Sequence, residues 1–124
     1  MTKCGDMLVK VCGQTRQEDL DACHELEVDL VGFIFHPSSP RYVEPEQAVQ
    51  LFSHSAMRVG IFVDHSVEEI RDIMRRANLH LAQLHGDQDV DFCKALGRNK
   101  IMRTFWPDRH ETLASLEQEV DQYK

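Results

Sequence analysis

The sequence predicts an α/β fold built from five consecutive βα units. Five short runs rich in Val, Ile, Leu and Phe recur along the chain, each typical of a strand buried on both faces. Segments of helical period lie between these runs. The spacing is regular, because successive strand ends are 23, 28, 22 and 20 residues apart. The predicted strands cover residues 7–12, 30–35, 57–63, 79–85 and 100–105.

Start signals for helices follow three of the strands. Thr15 with Glu18 and Ser66 with Glu69 have the spacing of a capping box, in which each side chain accepts a hydrogen bond from the other residue's backbone N–H. Pro45 suits a first helical position, because the N–H group that proline lacks has no partner there. These signals predict helix starts after the first, second and third strands.

Helix ends are predicted at Asn78 and Gly97, since both residue types tolerate the left-handed backbone that often follows a helix. The last segment, residues 109–124, is predicted to be the fifth helix. Its Leu113, Leu116 and Val120 share one helical face.

Parallel strands joined by right-handed crossovers form either an open doubly wound sheet or part of a (βα)8 barrel. Alternation favours the barrel, because one face of three strands becomes polar toward the carboxyl end, where barrel enzymes carry their catalytic groups. These faces hold Lys10 and Cys12, then Gly60, Phe62 and Asp64, then Gln83 and His85. The predicted fold is a partial TIM barrel with strand order 1-2-3-4-5. The alternative is a flavodoxin-like binding or regulatory module with order 2-1-3-4-5.

The composition limits the classes of function. The 124 residues suffice for one domain, residues 1–124, with its own core. The net charge is −7 and the basic residues are not clustered, which disfavours binding to nucleic acid. The N-terminus has no signal-peptide pattern and the chain has no long apolar run, so no membrane partner is expected. The predicted location is the cytoplasm.

The cysteines and histidines do not form a recognisable site by spacing. The four cysteines are scattered without a CxxC pair, which fits a reducing compartment better than a disulfide framework or a zinc site. The seven histidines lack the close spacings of a metal site. The cysteines are Cys4, Cys12, Cys23 and Cys93.

Cys12 stands at the end of the first predicted strand and is followed by a flexible Gly13. A thiol has an ordinary pKa of about 8.5, and nearby positive charge favours the thiolate. Lys10 lies two residues earlier on the same face, about 6.6 Å away along a strand. Cys12 is therefore a candidate base or nucleophile. The alternative is a small buried apolar side chain. A redox role has no resolving cysteine nearby.

Arg41 follows the second strand after a stiff segment of two prolines and two serines. The planar guanidinium matches a carboxylate in bidentate fashion, so the sequence favours an acidic small-molecule substrate. The alternative is a surface ion pair with Glu44 or Glu46.

Asp64 and His85 occupy equivalent positions at the ends of the third and fourth strands. Both can exchange protons or bind a hydroxyl group. The alternatives are a helix cap for Asp64 and a loop-bracing role for His85.

Four segments in sequence resemble the phosphoribosylanthranilate isomerase family, from about Leu8 to the end of the chain. Their order and spacing match together, which is more specific than any one motif. Gln14 departs from the resemblance, because a more apolar residue is expected beside the candidate base. The segments are Val-Lys-Val-Cys-Gly at 9–13, Gly-Phe-Ile-Phe at 32–35 with Ser-Pro-Arg-Tyr-Val at 39–43, Arg-Val-Gly-Ile-Phe-Val at 58–63 and Gln-Leu-His-Gly at 83–86.

The resemblance implies a (βα)8 barrel that isomerises N-(5-phosphoribosyl)anthranilate in tryptophan biosynthesis, by an Amadori rearrangement without cofactor or metal. It implies that Cys12 is the general base and that Arg41 binds the anthranilate carboxylate. Asp64 and His85 match positions near the mouth of the site, where they would bind substrate. The family's acid, an aspartate after the sixth strand, and its phosphate-binding loops have no counterpart in these 124 residues.

A complete barrel of this kind takes at least about 200 residues. The chain is therefore expected to hold βα units 1 to 5, without strands 6 to 8. Its first and fifth strands are expected to be open edges, which favours self-association or pairing with a missing C-terminal half. Alone, the chain is expected to retain at most partial substrate binding.

Overall fold

The computed structural model describes residues 6–124, so Cys4 lies outside the described part. It contains one five-stranded parallel sheet in the order 1-2-3-4-5. The predicted arrangement is confirmed, and the flavodoxin-like order is wrong. The strands are β1 (Lys10–Val11), β2 (Leu30–Ile34), β3 (Met57–Phe62), β4 (Leu81–Leu84) and β5 (Ile101–Arg103). The helices are α1 (Gln17–Glu25), α2 (Pro45–Gln50), α3 (Val67–Arg76), α4 (Val90–Leu96) and α5 (Leu113–Gln122), with short 3-10 turns at Arg98–Lys100 and Pro107–Arg109.

One apolar core joins the helices to a single face of the sheet. The pairing register places Phe33 beside Gly60, so the odd-numbered residues of β2 share a face with the even-numbered residues of β3. Phe33 and Phe62 are fully buried in this core. Large aromatic side chains therefore fill the space between sheet and helices. The core comprises Leu20, Cys23, Val31, Phe33, Phe35, Val43, Ala48, Phe62, Ile70, Ala77, Ala82, Leu84, Cys93 and Leu96.

The opposite face of the sheet corresponds to the interior of a barrel. Lys10 pairs with Leu30 and Gln83 pairs with Ile61, so the predicted inward positions in β1 and β4 are confirmed. The prediction for β3 is wrong, because Gly60 and Phe62 face the helices. The strong burial preference of an aromatic ring overrides the polarity pattern there.

The predicted helix starts have mixed outcomes. Ser66 and Glu69 form a complete capping box at α3, and Pro45 occupies the first position of α2. The box at Thr15 is wrong, because the N-cap of α1 lies one residue later, at Arg16, whose side chain makes no capping bond. The guanidinium of Arg16 instead pairs with Asp19 in the first turn.

The helix ends at Asn78 and Gly97 are confirmed by their left-handed backbones, with φ of 56° and 116°. The fifth helix is shorter than residues 109–124. It begins at Leu113, because the hydroxyl of Thr112 accepts a hydrogen bond from Ser115 N–H and caps the helix. The side chain of Leu113 is largely exposed.

Arg58 connects the amino end of β3 to two helices. It is only 5% exposed, and its guanidinium donates hydrogen bonds to the carbonyls of Ala48 and Leu51 at the end of α2. It also donates to the carbonyls of Ala77 and Asn78 at the end of α3. Burial lowers the pKa of Arg58. The negative ends of two helices compensate the buried charge.

The two edge strands have few covering contacts. Within residues 6–124, β1 pairs only with β2 and β5 only with β4. Val9 and Val11 remain more than one-third exposed beside the first edge, and α5 has no buried residue beside the other. No helix in this part of the chain is long and apolar enough to cross a membrane.

Candidate active site

Cys12 lies at the carboxyl end of β1, on the inner face of the sheet. A Cβ atom placed on Gly32 would lie 3.2 Å from the Cys12 Sγ atom. The thiol therefore packs against β2 at Gly32, where the strand has no side chain. Cys12 is half-buried, whereas burial raises the pKa of both Cys23 and Cys93. Among the cysteines in the described part, Cys12 is the one with an accessible thiol.

The turn after Cys12 is fixed by the neighbouring strand. Gly13 has a φ of 79°, which turns the chain away from β1. The backbone N–H of Gln14 then donates a 2.9 Å hydrogen bond to the Gly32 carbonyl. The side chain of Gln14 is buried, and its Oε1 atom has no hydrogen-bond partner.

Arg41 is positioned by a compact loop that returns to β2. The Arg41 N–H donates to the Ser39 hydroxyl at 3.2 Å, and the Val43 N–H donates to the Ile34 carbonyl at 3.0 Å. The guanidinium reaches across to β1, where Nη1 lies 3.4 Å from the Cys12 carbonyl oxygen. The structure therefore brings together two residues that are 29 positions apart in the chain.

The acidic partners considered for Arg41 have other contacts. Glu46 forms an ion pair with Arg76 of α3. Glu44 lies beside Tyr42, where burial, followed by the Glu44 carboxylate, raises the pKa of the Tyr42 hydroxyl. The exposed Arg41 guanidinium is thus directed to the β1 turn rather than to a surface ion pair.

Asp64 is exposed in the loop that follows β3, and it does not cap α3, because Ser66 does. Its surroundings form an open cavity of about 370 Å³ between the loops that follow β2 and β3. The cavity is lined by His36, Pro37, Ser38, Asp64, His65 and Glu69.

His85 is exposed just beyond β4. Its backbone N–H donates to the Phe62 carbonyl at 2.9 Å. Its ring meets Trp106 edge to face, with centroids 5.4 Å apart. The ring therefore contacts the loop after β5, as the loop-bracing alternative expects, and the residue remains exposed.

Gln88 is a supporting residue that the sequence did not reveal. Its amide accepts a hydrogen bond from Gly86 N–H at 3.0 Å and donates one to the Val63 carbonyl at 2.9 Å. It thereby holds the turn after His85 against the end of β3. A glutamine in a loop carries no periodic signal, so only the fold identifies its role.

Thr104 is a second such residue, at the end of β5. Its hydroxyl lies 3.4 Å from the Gln83 Nε2 atom, and the Gln83 Oε1 atom is buried without a partner. Gln83 and Thr104 thus form a polar pair on the inner face, and Gln83 lies two residues before His85 along the chain. No three His, Cys, Asp or Glu side chains of residues 6–124 are arranged to hold a metal ion.

Comparison with known proteins identifies the family. The profile of N-(5'-phosphoribosyl)anthranilate isomerase matches residues 9–123. The chain belongs to the phosphoribosylanthranilate isomerase family. The isomerase of Desulfovibrio desulfuricans is 47% identical over 117 residues, which cover 94% of this chain and 56% of that protein. The isomerase of Maridesulfovibrio salexigens is 40% identical, with 94% and 57% covered.

Solved isomerase structures have the same fold. The Thermus thermophilus enzyme is 36% identical and matches with a TM-score of 0.75 over 80% of this chain and 52% of that one. A phosphoribosyl anthranilate isomerase crystallised with reduced 1-(o-carboxyphenylamino)-1-deoxyribulose 5-phosphate is 34% identical, with a TM-score of 0.74 over 78% and 52%. The chain spans about half the length of the isomerases it matches.

Proposed function

We propose that this chain supplies the first five βα units of a phosphoribosylanthranilate isomerase and carries its general base, Cys12. The observation that carries the proposal is the contact between the Arg41 guanidinium and the Cys12 carbonyl, in a chain of this family. The accessible thiol of Cys12 and an exposed guanidinium at the turn that follows it suit a substrate that presents a carboxylate and an acidic C–H bond.

The reaction converts N-(5-phosphoribosyl)anthranilate into 1-(2-carboxyphenylamino)-1-deoxyribulose 5-phosphate. The two molecules are isomers, so the chemistry requires proton transfers and no net oxidation. In the proposed mechanism Cys12 removes the proton from sugar C2, and Arg41 binds the anthranilate carboxylate. Lys10 lies two residues before Cys12, on the same face of β1.

Asp64 and His85 are proposed to bind substrate at the mouth of the site. Asp64 lines the cavity between two neighbouring loops, and His85 stands at the equivalent edge of β4. A carboxylate accepts hydrogen bonds from hydroxyl groups, and an imidazole both donates and accepts. These properties suit the hydroxyl groups of a sugar, and we assign neither residue a proton-transfer step.

The remaining parts of the site are proposed to come from the segment that corresponds to strands 6 to 8 in the relatives. This segment would supply the acid that opens the sugar ring and the loops that bind its phosphate. The single domain of residues 1–124 is then a partial barrel, alone nearly inactive, because general acid assistance contributes about 10²–10⁴ in rate.

The sheet edges are the proposed contact surface for that segment or for a second copy of the chain. A groove of about 500 Å³ runs beside β5, and it combines apolar side chains with three cationic groups. An intracellular, cytoplasmic location is proposed from the pathway, and we expect neither nucleic acid nor membrane as a partner. The groove is lined by Arg98, Asn99, Ile101, Arg103, Phe105, Val120, Tyr123 and Lys124.

A complementation assay tests the proposal. The chain is mixed with a polypeptide that carries strands 6 to 8 of the Desulfovibrio desulfuricans relative, and conversion of N-(5-phosphoribosyl)anthranilate is followed. We expect turnover from the mixture and almost none from either piece alone. A mixture that forms a stable complex without any turnover would contradict the proposed activity.

A further inference from the structure

The Arg41 guanidinium lies in the space where a side chain at position 13 would begin. If Gly13 carried a Cβ atom, that atom would lie 2.6 Å from the Arg41 Cζ atom and 2.8 Å from its Nε atom. Real Cβ atoms do not come this close to other heavy atoms. The guanidinium therefore occupies the space that any other residue at position 13 would fill.

The same turn holds Arg41 by a second contact. The Arg41 Nη1 atom points to the carbonyl of Cys12, the residue immediately before Gly13. The turn itself is fixed, because the Gln14 N–H is bonded to the Gly32 carbonyl of β2. Arg41 thus rests on a part of the backbone whose position relative to the Cys12 thiol is set by the sheet.

We propose that Gly13 is a positioning residue: because it has no side chain, the Arg41 guanidinium can lie against the turn that follows Cys12, so that this chain alone presents a preformed site for a small carboxylate. The identity of the carboxylate as anthranilate rests on the proposed function. The positioning itself depends only on residues of this chain. An alanine at position 13 displaces the guanidinium and leaves the charge of the chain unchanged.

Alkylation of Cys12 in the 124-residue chain measures the site directly. In iodoacetate and iodoacetamide the thiolate sulfur forms a bond to the CH2 carbon, and the C–I bond breaks with loss of iodide. Both reagents react with the same thiolate, so the ratio of their rate constants cancels the thiolate fraction. Only iodoacetate carries a carboxylate, so the ratio reports attraction of a carboxylate to the site. Peptide mass spectrometry assigns each rate to Cys12.

Gly13→Ala is expected to lower the iodoacetate to iodoacetamide ratio by roughly threefold to fivefold, the size expected for moving one solvated charge away by a few ångströms. Arg41→Gln is expected to lower it by at least as much. Lys10 also attracts carboxylates from the same face, so the ratio stays above that of free cysteine. Gly97→Ala is the matched control, because Gly97 also has a positive φ but a Cβ there would meet the Lys100 Cδ atom at 3.9 Å, an ordinary van der Waals contact.

A double-mutant cycle separates positioning from a general disturbance of the turn. If Gly13 acts through Arg41, Gly13→Ala has no further effect on the ratio in the Arg41→Gln chain. An equal fall in both backgrounds would overturn the proposal, as would a folded Gly13→Ala chain with the parent ratio.

Circular dichroism establishes whether each variant is folded. If Gly13→Ala does not fold, Arg41→Lys carries the test, because it keeps the charge but loses the guanidinium that rests on Gly13. A parent-like ratio in Arg41→Lys would contradict the positioning role. If the ratio depends on Arg41 but the chain fails complementation, only the proposed isomerase function is contradicted. If complementation succeeds but the ratio does not depend on Gly13 and Arg41, only this inference is contradicted.

Discussion

The guanidinium of Arg58 lies over the ring of Phe33, with its Cζ atom 4.6 Å from the ring centroid. This contact places a buried cation between the apolar core and the carboxyl ends of two helices. Replacement by Met would remove the guanidinium donor from four carbonyls at the helix ends, of which the Ala48 carbonyl keeps its hydrogen bond from the Leu51 N–H. Since an unpaired buried polar group costs about 1–3 kcal/mol, we expect Arg58→Met to lower the free energy of unfolding by roughly 2–4 kcal/mol.

Urea denaturation of the purified variant measures this loss. Arg75→Met is the matched control, because the Arg75 side chain is 75% exposed and pairs with Asp72, a surface carboxylate in its own helix. The control is expected to change stability by less than about 1 kcal/mol. Equal losses in the two variants would contradict the structural role of Arg58.

Gln14→Met is expected to stabilise the chain by about 1 kcal/mol, because the buried Gln14 Oε1 atom has no partner among residues 6–124. The Nε2 atom of Gln14 makes long contacts, at 3.4 Å to the Val11 carbonyl and 3.7 Å to the Cys23 Sγ atom, whose loss costs little. The backbone bond from residue 14 to the Gly32 carbonyl is kept. Gln17→Met is the matched contrast, since the Gln17 amide both donates to and accepts from the Phe52 backbone, at 2.9 and 2.8 Å. Thermal unfolding should therefore shift upward for the first variant and downward for the second. Shifts of the two unfolding temperatures in the same direction would contradict the conclusion that the buried Gln14 Oε1 atom destabilises the fold.

Cys12→Ala should abolish turnover in the complemented enzyme and leave ligand binding largely intact. General base assistance contributes about 10²–10⁴ in rate, so activity should fall by at least that range. Kinetic assay and titration with the reduced product analogue distinguish catalysis from binding. Cys4→Ala controls for the loss of a thiol elsewhere in the chain. Unchanged activity in Cys12→Ala would remove Cys12 from the mechanism.

Acid should weaken α3 through Glu69. The backbone N–H of Ser66, and then its hydroxyl, hold the pKa of the Glu69 carboxyl below its ordinary value of 4.5. A carboxyl with a lowered folded-state pKa stabilises the fold fully above its ordinary pKa, and this stabilisation is lost as the pH falls through the lower value. Stability should therefore fall as the pH drops below about 4.5, and less steeply in Glu69→Gln.

Denaturant midpoints measured from pH 7 downward check this dependence. Glu68→Gln is the control, because Glu68 is one position before the capping-box residue. A pH profile for Glu69→Gln that overlays the parent profile would show that the capping box does not couple to protonation.

The exposed edge of β1 should cause the isolated chain to self-associate at high concentration. Val11→Lys places a charge on that edge and is expected to reduce the association, because edge lysines disfavour strand pairing. Val49→Lys on α2 is the control, since Val49 is also exposed but lies away from the edge. Light scattering that gave a well-folded monomer for the parent at high concentration would contradict the edge argument.

Much of the fold followed from local signals. The apolar runs identified all five strands, and residues with strong backbone preferences, such as Pro45 and Asn78, marked helix boundaries correctly. The errors have tertiary causes. Phe62 packs in the core although its neighbours suggested an inner face, and the N-cap of α1 is Arg16 rather than Thr15.

The site was predictable residue by residue, but its contacts were not. Cys12 and Arg41 were identified separately, from a strand end and from a stiff loop. Their association depends on the Ile34–Tyr42 bridge and on the absent side chain of Gly13, and these are properties of two distant segments in one fold. Gln88 was missed for the same reason, since its partners lie on two different strand ends.

The strand order has a consequence for how the chain is made. Within residues 6–124, each strand pairs only with strands adjacent to it in sequence, through contacts such as Lys10 with Leu30 and Ala82 with Ile101. Pairing therefore closes only short loops, and the entropic cost of each closure is small. A growing chain can add one βα unit at a time to the sheet as it leaves the ribosome. Each added unit covers the edge left by the one before it, so a nascent chain exposes one unfinished edge at its growing end.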